Sequence, residues 1–150
     1  MNNNTYLEIA ERIAQESKAN KLKVGCVLVK NGNIISFSYN GTPPGSDNTC
    51  EDEHNHTHPE VIHAESMAIT KAAKAGISTR DSIAYVTHQP CIDCAKLLYQ
   101  AGIKEVYFRN GYKSNQGTDF LINQGVNVVF IADWNKDSSP ALKESSIWKS

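Results

Sequence analysis

Four residues in the middle of the chain have side chains that could do chemistry together. His63 and Glu65 are separated by one residue, and Cys91 and Cys94 follow in the segment PCIDC. One imidazole and two thiolates are ligands that zinc prefers, and three protein ligands leave the fourth tetrahedral position for water. A carboxylate beside such a site can carry protons to and from water and substrate. The pattern therefore predicts a catalytic metal site with Glu65 as its proton carrier.

Two predicted helices must present these residues. The apolar residues of VIHAESMAITKAAKAG recur at helical spacing and predict a helix from about His63 to Ala75. A second helix is predicted over CIDCAKLLYQAG, with Pro90 in its first turn. Cys91 and Cys94 would face one side of this helix, where the partial positive charge of the N-terminus stabilises a thiolate. We expect the two N-termini to meet at one edge of a sheet.

The other predicted elements complete an α/β fold. The order α-β-β-α-β-α-β-α-β predicts a three-layer α/β/α sandwich around a five-stranded mixed sheet. A long loop without periodicity is predicted over residues 41–60, and such loops are usually functional. The remaining elements are a helix from Thr5 to Lys18 with Thr5 as N-cap, a hairpin over residues 23–40, strands at 82–87, 104–110 and 126–132, and a helix within 111–125.

Length, charge and cysteine content narrow the class of protein. The 150 residues predict one domain over 1–150, with a core at about 5–131 and an irregular tail at 132–150. The 15 Lys+Arg balance the 16 Asp+Glu, so the basic surface that grips nucleic acid is not expected and a small ligand is favoured. No signal peptide or membrane segment is predicted, which favours the cytoplasm. The four cysteines then indicate thiols or metal ligands rather than disulfides.

Two other interpretations of the cysteines remain open at this point. The CxxC pair could be a redox pair, although His63 and Glu65 would then be unexplained. It could also belong to a structural zinc site completed by Cys50, His54, His56 or His58. The combination of HxE with a later PCxxC is the more specific pattern, and it is typical of zinc-dependent nucleobase deaminases.

Several longer segments resemble one family of these enzymes. HAE at 63–65 and PCIDCAK at 90–96 resemble the cytidine deaminase superfamily. The segments KVGCVLVKNGNIISFSYNGTPPGSDN and AYVTHQPCIDCAKLLYQAGIKEVYF further resemble the deoxycytidylate (dCMP) deaminase family over about residues 5–131. The resemblance implies a cytidine deaminase-like fold and zinc-dependent hydrolysis of dCMP to dUMP and ammonia, which supplies dUMP for thymidylate synthesis.

The resemblance also implies roles for individual residues. His63, Cys91 and Cys94 would bind zinc, and hydroxide would attack C4 of cytosine while Glu65 protonates N3 and then the departing amine. Substrate contacts are implied for the side chain of Asn40, the backbone of Ala64 and the ring of Tyr112. Thr42 is a further candidate contact, and Lys113 and Arg109 are candidate ligands of the phosphate.

The family is typically hexameric and regulated by dCTP and dTTP. An effector site would be expected around Gly41, Gly45 and Asn48, with Mg²⁺ accompanying a triphosphate. An arginine that often precedes the first strand is replaced here by lysines at 18, 21 and 23, which cannot bind phosphate bidentately.

Some family members carry a second, structural zinc. The histidine-rich loop could form such a site from Cys50, His54, His56 and His58. The other cysteine expected before the first strand is missing, and that stretch reads KANKLK.

Two alternatives to dCMP deamination stay open. The same fold could act on tRNA adenosine, guanine or free cytidine, although the balanced charge argues against tRNA. A zinc- or nucleotide-binding protein without turnover is the second alternative, and it leaves the presence of Glu65 unexplained.

Overall fold

A computed structural model describes residues 1–46 and 49–132. The described residues form four helices and five strands in the predicted order. These are α1 (Asn3–Ala14), β1 (Gly25–Lys30), β2 (Asn33–Tyr39), α2 (Ala64–Lys74), β3 (Ile83–His88), α3 (Ile92–Gln100), β4 (Glu105–Asn110), α4 (Gln116–Asn123) and β5 (Asn127–Phe130).

The five strands form one mixed sheet in the order β2-β1-β3-β4-β5. Strand β1 runs antiparallel to both β2 and β3, whereas β3, β4 and β5 are parallel. The β1–β2 turn places Asn31 and Gly32 at positive φ, which is the reason for the Asn-Gly pair there. The predicted mixed sheet is confirmed.

Helices cover both faces of the sheet and give the predicted three layers. Alternate strand residues such as Val27, Tyr85 and Tyr107 pack against α1. The intervening residues, including Leu28, Val86 and Phe108, pack against α2, α3 and α4. The period-2 alternation of β-strands therefore supplies two hydrophobic cores from the same strands.

The contact between α1 and β1 depends on a glycine. A Cβ atom added to Gly25 would lie 2.0 Å from the carbonyl oxygen of Ala10 and 3.0 Å from the backbone nitrogen of Ala14. Only a residue without a side chain lets the helix backbone approach the strand this closely.

Two predicted helix starts were wrong by up to three residues. Helix α1 is capped by Asn2 rather than Thr5, because the Asn2 side chain accepts a hydrogen bond from the Thr5 N–H at 2.8 Å. The helix also ends at Ala14 rather than Lys18, since Ser17 turns away to donate a hydrogen bond to the Asn40 carbonyl. Helix α3 begins at Ile92, so Pro90 precedes the N-cap Cys91 instead of lying in the first turn.

Three further expectations concern membrane-spanning helices, disulfides and the C-terminal tail. None of the helices described here has the length and apolar character needed to cross a membrane. All four cysteines lie in the described ranges, and no disulfide joins them. The predicted irregular tail falls, from residue 133 onward, outside the described residues.

Replacing Gly25 tests the close packing of α1 on β1. We expect Gly25→Ala to lower the free energy of unfolding by about 3 kcal/mol and the melting temperature by on the order of 10 °C, because backbone atoms must separate. Thermal and urea denaturation measure this loss. The matched control is Gly41→Ala, where an added Cβ meets nothing within 4 Å, and we expect a change within about 0.5 kcal/mol. Equal stability of the two variants would contradict the close contact.

Candidate active site

The N-termini of α2 and α3 meet and bring three potential metal ligands together. The ligand atoms of His63, Cys91 and Cys94 all lie within 4.8 Å of one another. Nδ1 of His63 is 3.2 Å from the Cys94 sulfur and 3.7 Å from the Cys91 sulfur. Within residues 1–46 and 49–132 this is the only group of three or more His, Cys, Asp or Glu side chains placed to hold a metal.

Two of these residues occupy helix N-cap positions. His63 caps α2 and Cys91 caps α3, both with extended backbone and neither with a side-chain hydrogen bond to its own helix. A cap position usually carries Ser, Thr, Asp or Asn, whose side chain bonds the first turn. Here the side chains turn toward each other instead, so helix capping is given up for ligand geometry.

The donor set fits zinc. Tetrahedral zinc with bonds of about 2.0–2.3 Å to N and S would place these atoms about 3.6–3.8 Å apart, close to the observed separations. One nitrogen and two sulfurs also match the borderline-soft character of the ion. Three protein ligands are the number typical of a catalytic site, as the sequence pattern predicts.

Hydrogen bonds within the cluster shift the pKa values of all three groups. Those with the Cys94 thiol and the His63 imidazole lower the pKa of Cys91 to about 4, which favours its thiolate form. The same contact with Cys91, together with burial, raises the pKa of Cys94. A hydrogen bond with Cys91 likewise raises the pKa of His63.

Glu65 lies in the first turn of α2, next to the cluster. Its side chain is buried, with 5% exposed. Burial raises the pKa of its carboxyl to about 7, while the charges of His63 and Cys91 act on it in opposite directions. A carboxyl group in such a place is suited to take up and release a proton.

A cavity of about 400 Å³ opens beside the cluster. His63, Glu65 and Cys91 form one part of its wall, and the loops around residues 19–24 and 50–61 form another. This volume lies in the range of small-molecule sites. The other lining residues are Ala19, Lys21, Leu22, Val24, Asn40, Cys50, Glu51, Thr57, Val61, Ala64, His88, Gln89 and Tyr112.

The cavity includes three of the predicted substrate contacts. Asn40, Ala64 and Tyr112 line it, whereas Thr42 and Lys113 are not part of its wall. The Asn40 amide also ties the hairpin to the segment before β1, because it donates to the Leu22 carbonyl at 2.8 Å and accepts from the Val24 N–H at 2.9 Å.

Arg109 was wrongly predicted as a phosphate ligand. It is 4% exposed and lies on the α1 face of β4, like Tyr107 two residues earlier. It forms an ion pair with Glu11 at 3.5 Å and a hydrogen bond with Asn4. The alternation of β4 therefore directs the guanidinium away from the cavity.

Three cavity residues were not predicted to have a role in this site. Lys21 is the only Lys or Arg that lines the cavity in the described part of the chain. Glu51 is buried and accepts hydrogen bonds from the backbone N–H groups of Asn20 and Lys21, which fixes that wall. Gln89 directly precedes Pro90, but nothing in the sequence indicates that its side chain turns toward the later loop.

The histidine-rich loop does not assemble the predicted second metal site. Asp52 accepts hydrogen bonds from the backbone N–H groups of His54 and His56, which turns the loop tightly and leaves both imidazoles about three-quarters exposed. Cys50 is instead buried at the base of the loop, and His58 is linked to it through the backbone. Among the described residues, no three of these four side chains are therefore placed to hold a metal together.

A second, smaller cavity adjoins the predicted effector segment. It measures about 180 Å³ and is lined by Gly41 and Thr42 together with Lys18 and Lys71. Gly45 lies in the exposed turn that follows, with φ of 89°. Asn48, the third predicted effector residue, lies outside the described residues.

Comparison with known proteins gives consistent matches over most of the chain. The family model for the cytidine and deoxycytidylate deaminase zinc-binding region matches residues 1–110. The deoxycytidylate deaminase of Enterobacteria phage T4 is 35% identical, over 90% of this chain and 92% of its own. ComE operon protein 2 of Bacillus subtilis (strain 168) is 36% identical, over 84% of this chain and 69% of its own.

A solved structure agrees with the fold. The crystal structure of dCMP deaminase from the cyanophage S-TIM5, in complex with dCMP and dUMP, superposes with a TM-score of 0.82 at 43% identity. The match covers 85% of this chain and 95% of the other. The mixed sheet and its helices therefore have the cytidine deaminase-like arrangement that the sequence predicts.

Gly117 offers a test of the metal ligands from outside the cluster. A Cβ added there would lie 2.4 Å from the Pro90 carbonyl oxygen and 2.8 Å from the carbonyl carbon and oxygen of Cys91. We expect purified protein to hold one zinc per chain and Gly117→Ala to lower zinc affinity by about tenfold or more, because the backbone of Cys91 must move. Competition with a chromophoric chelator measures the affinity.

The control for this substitution is Gly41→Ala, which meets nothing within 4 Å and should bind zinc like the parent. Unchanged zinc affinity in Gly117→Ala would contradict the assignment of Cys91 as a ligand. Two zinc ions per chain would reopen the second site in the histidine-rich loop.

Proposed function

The chain belongs to the cytidine and deoxycytidylate deaminase family, and we propose that it hydrolyses dCMP to dUMP and ammonia at the site formed by the two helix N-termini. One observation carries the proposal: His63 and Cys91, which cluster with Cys94, share one wall of a cavity suited to a small molecule with the buried Glu65. The S-TIM5 enzyme, whose structure superposes on this one, was crystallised with dCMP and dUMP.

His63, Cys91 and Cys94 would hold the catalytic zinc. Zinc held by these ligands would supply hydroxide at neutral pH, because the ion lowers the pKa of bound water to about 7. The position of two ligands at helix N-termini favours the thiolate form of the cysteines. The three residues would thus fix the reacting centre at the wall of the cavity.

Glu65 carries the protons. In the proposed reaction its carboxylate accepts a proton from water and passes it to N3 of the cytosine ring as oxygen bonds to C4. The carboxylate then takes the remaining proton from the new C4 hydroxyl and passes it to the exocyclic amine, so that the C4–N bond breaks, the C4 carbonyl forms and ammonia leaves. Water and dCMP are consumed and dUMP and ammonia are formed, so atoms and charge balance.

Other cavity residues would hold the nucleotide. Ala64, the first residue of α2, is fully buried and presents its backbone beside Glu65, where it can read the base. Asn40 and Tyr112 line the same cavity and remain the proposed contacts to the rest of the nucleoside. A 5′-phosphate needs a cation, and Lys21 supplies it from the wall, in place of Lys113.

The chain between Lys21 and Gly25 limits how far Lys21 can lie from the reacting centre. Gly25 is tied to Thr87, close to the cysteine segment, by a hydrogen bond from the Gly25 N–H to the Thr87 hydroxyl at 3.1 Å. Lys21 is four residues before Gly25, and four residues of chain span at most about 13–14 Å. A nucleotide whose base lies at Glu65 can extend its phosphate along this segment.

Regulation and assembly follow the family pattern in the proposal. dCTP and dTTP, with Mg²⁺, would act as effectors at the smaller cavity, where Lys18 and Lys71 can neutralise phosphate charge beside Gly41 and Thr42.

We further propose a homo-oligomer, a hexamer by the family pattern, since Phe37 and Tyr39 of the edge strand β2 are 48% and 38% exposed. Four cysteines without disulfides are consistent with the proposed cytoplasmic location.

A substrate comparison tests the proposed activity. Zinc-loaded protein should release ammonia and form dUMP from dCMP, and it should act less efficiently on deoxycytidine and dCTP, because Lys21 and the cavity favour a monophosphate. Each substrate is assayed with and without dCTP or dTTP as effector. Turnover of guanine or of adenosine in tRNA without turnover of dCMP would favour another deaminase of this fold, and no turnover at all would favour a binding protein.

Removing the Glu65 carboxylate tests the mechanism. We expect Glu65→Ala to lower kcat for dCMP by about 100-fold or more, because general acid–base catalysis is lost, while zinc content stays at that of the parent. Steady-state kinetics and metal analysis measure the two quantities. Glu60→Ala, at an exposed position before α2, is the control and should keep the parent kcat. Parent-like kcat in Glu65→Ala would refute the proposed proton carrier.

Replacing each of the two candidate lysines with alanine tests which of them contacts the phosphate. Lys21→Ala should raise KM for dCMP by about tenfold, since a charge-assisted hydrogen bond is lost, and should leave KM for deoxycytidine unchanged. Lys113→Ala is the comparison and should have little effect on either substrate. If Lys113→Ala alone raised KM for dCMP, Lys113 would be the phosphate ligand, as the sequence predicts, and Lys21 would not.

A further inference from the structure

Gln89 connects the cysteine segment to the loop that carries Tyr112. It lies two residues before Cys91, lines the main cavity and is 3% exposed. Its backbone N–H donates to the carbonyl of Asn110 at 2.8 Å, which continues the pairing of β3 with β4 by one residue. The backbone of Gln89 is thus fixed relative to both strands.

The side chain of Gln89 uses its whole amide group. Its Oε1 accepts the backbone N–H of Tyr112 at 2.8 Å. Its Nε2 donates to Oδ1 of Asn115 and to Oγ1 of Thr118, both at 3.0 Å. The opposite amide orientation would set the NH₂ group against the Tyr112 N–H, so these bonds define a single orientation.

The residues held in this way form the start and the end of one loop. Residues 111–115, which we term the Tyr112 loop, connect β4 to α4 without regular secondary structure. Tyr112 is 42% exposed, so burial of its ring contributes little to holding it in place. The hydrogen bond to Gln89 is therefore a main anchor of the tyrosine backbone.

We propose that Gln89 is a positioning residue that holds the Tyr112 loop against the cavity, in register with the cysteine segment. The inference rests on the proposed function, in which Tyr112 packs against the bound nucleotide. Gln89 acts through Tyr112 and touches no reacting atom in this scheme. Its removal therefore weakens substrate binding, which raises KM, and leaves the chemical step nearly unchanged.

Gln89→Met tests the proposal, since methionine keeps the length of the side chain but makes none of the three bonds. We expect KM for dCMP to rise by about tenfold, with kcat within about threefold of the parent and zinc content unchanged. The matched control is Thr118→Val, which removes one Gln89 partner and the bond from the Thr118 hydroxyl to the Asn115 carbonyl, and leaves the bond to Tyr112. It should lower the melting temperature while KM stays within about twofold of the parent.

A double-mutant cycle separates positioning from general loss of stability. If Gln89 acts through Tyr112, Gln89→Met should raise KM no further in a Tyr112→Ala background. Two KM effects that multiply would overturn the proposal. It would also be overturned if Thr118→Val raised KM as much as Gln89→Met, because loss of stability would then explain both.

Amide hydrogen exchange tests the same contact without any activity. The Tyr112 N–H should be protected in the parent and in Thr118→Val, and it should exchange about tenfold faster or more in Gln89→Met.

If Gln89→Met does not fold, Gln89→Glu replaces it: glutamate keeps the acceptor, so Tyr112 should stay protected although the donors are lost. Unchanged protection in Gln89→Met, or lost protection in Gln89→Glu, would refute the anchor. Failure to deaminate dCMP would instead refute the proposed function. The hydrogen-exchange measurement would still test the anchor, because it does not depend on activity.

Discussion

Antiparallel pairing of β1 with β3 is the interaction on which the site depends. It sets Cys26 opposite Val86, so the first residues of β1 lie beside the last residues of β3. The hairpin sets Gly25 opposite Tyr39, which brings the end of β2 to the same edge. A bridge between Gly41 and Ile62 then ties the start of α2 to the end of β2. His63 and Cys91 meet because three strand ends meet; with β1 parallel to β3, its beginning would lie at the opposite edge.

Helix capping and the proposed metal binding require the same two positions. A residue at an N-cap has extended backbone and projects its side chain beyond the helix, which is where a ligand must point. His63 and Cys91 leave the first N–H groups of α2 and α3 without side-chain caps. The helices compensate through packing, since Ala64, Ala68, Ala95 and Leu98 are fully buried against the sheet. Packing of α2 and α3 against the sheet thus offsets the stability that is lost because their N-termini have no side-chain caps.

The sequence predicts the grouping of His63, Cys91 and Cys94 and the layers of the fold well, because both depend on local pattern. HAE, PCIDC and the alternating strands each carry their information within a few residues. What the sequence does not indicate are contacts between distant segments: Gln89 with Tyr112 and Glu51 with the backbone of residues 20 and 21. Arg109 illustrates the same limit. The alternation of β4 shows that Arg109 shares a face with Tyr107, but only the structure shows that α1 covers this face. The helix starts at Asn3 and Ile92 differ from prediction because several adjacent residues can each serve as a cap.

The mixed direction of the sheet also divides the chain into two parts that differ in how they assemble. The β1–β2 hairpin closes through a two-residue turn, whereas the parallel strands β3, β4 and β5 each need a helical crossover between them. Local hairpins form sooner than pairings between distant strands, because less chain entropy is lost in closing them. His63 follows the first part, whereas Cys91 and Cys94 lie in the second, so the proposed ligand set is complete only after the two parts have docked. The proposed zinc would then bind late in folding and would link the two parts of the domain.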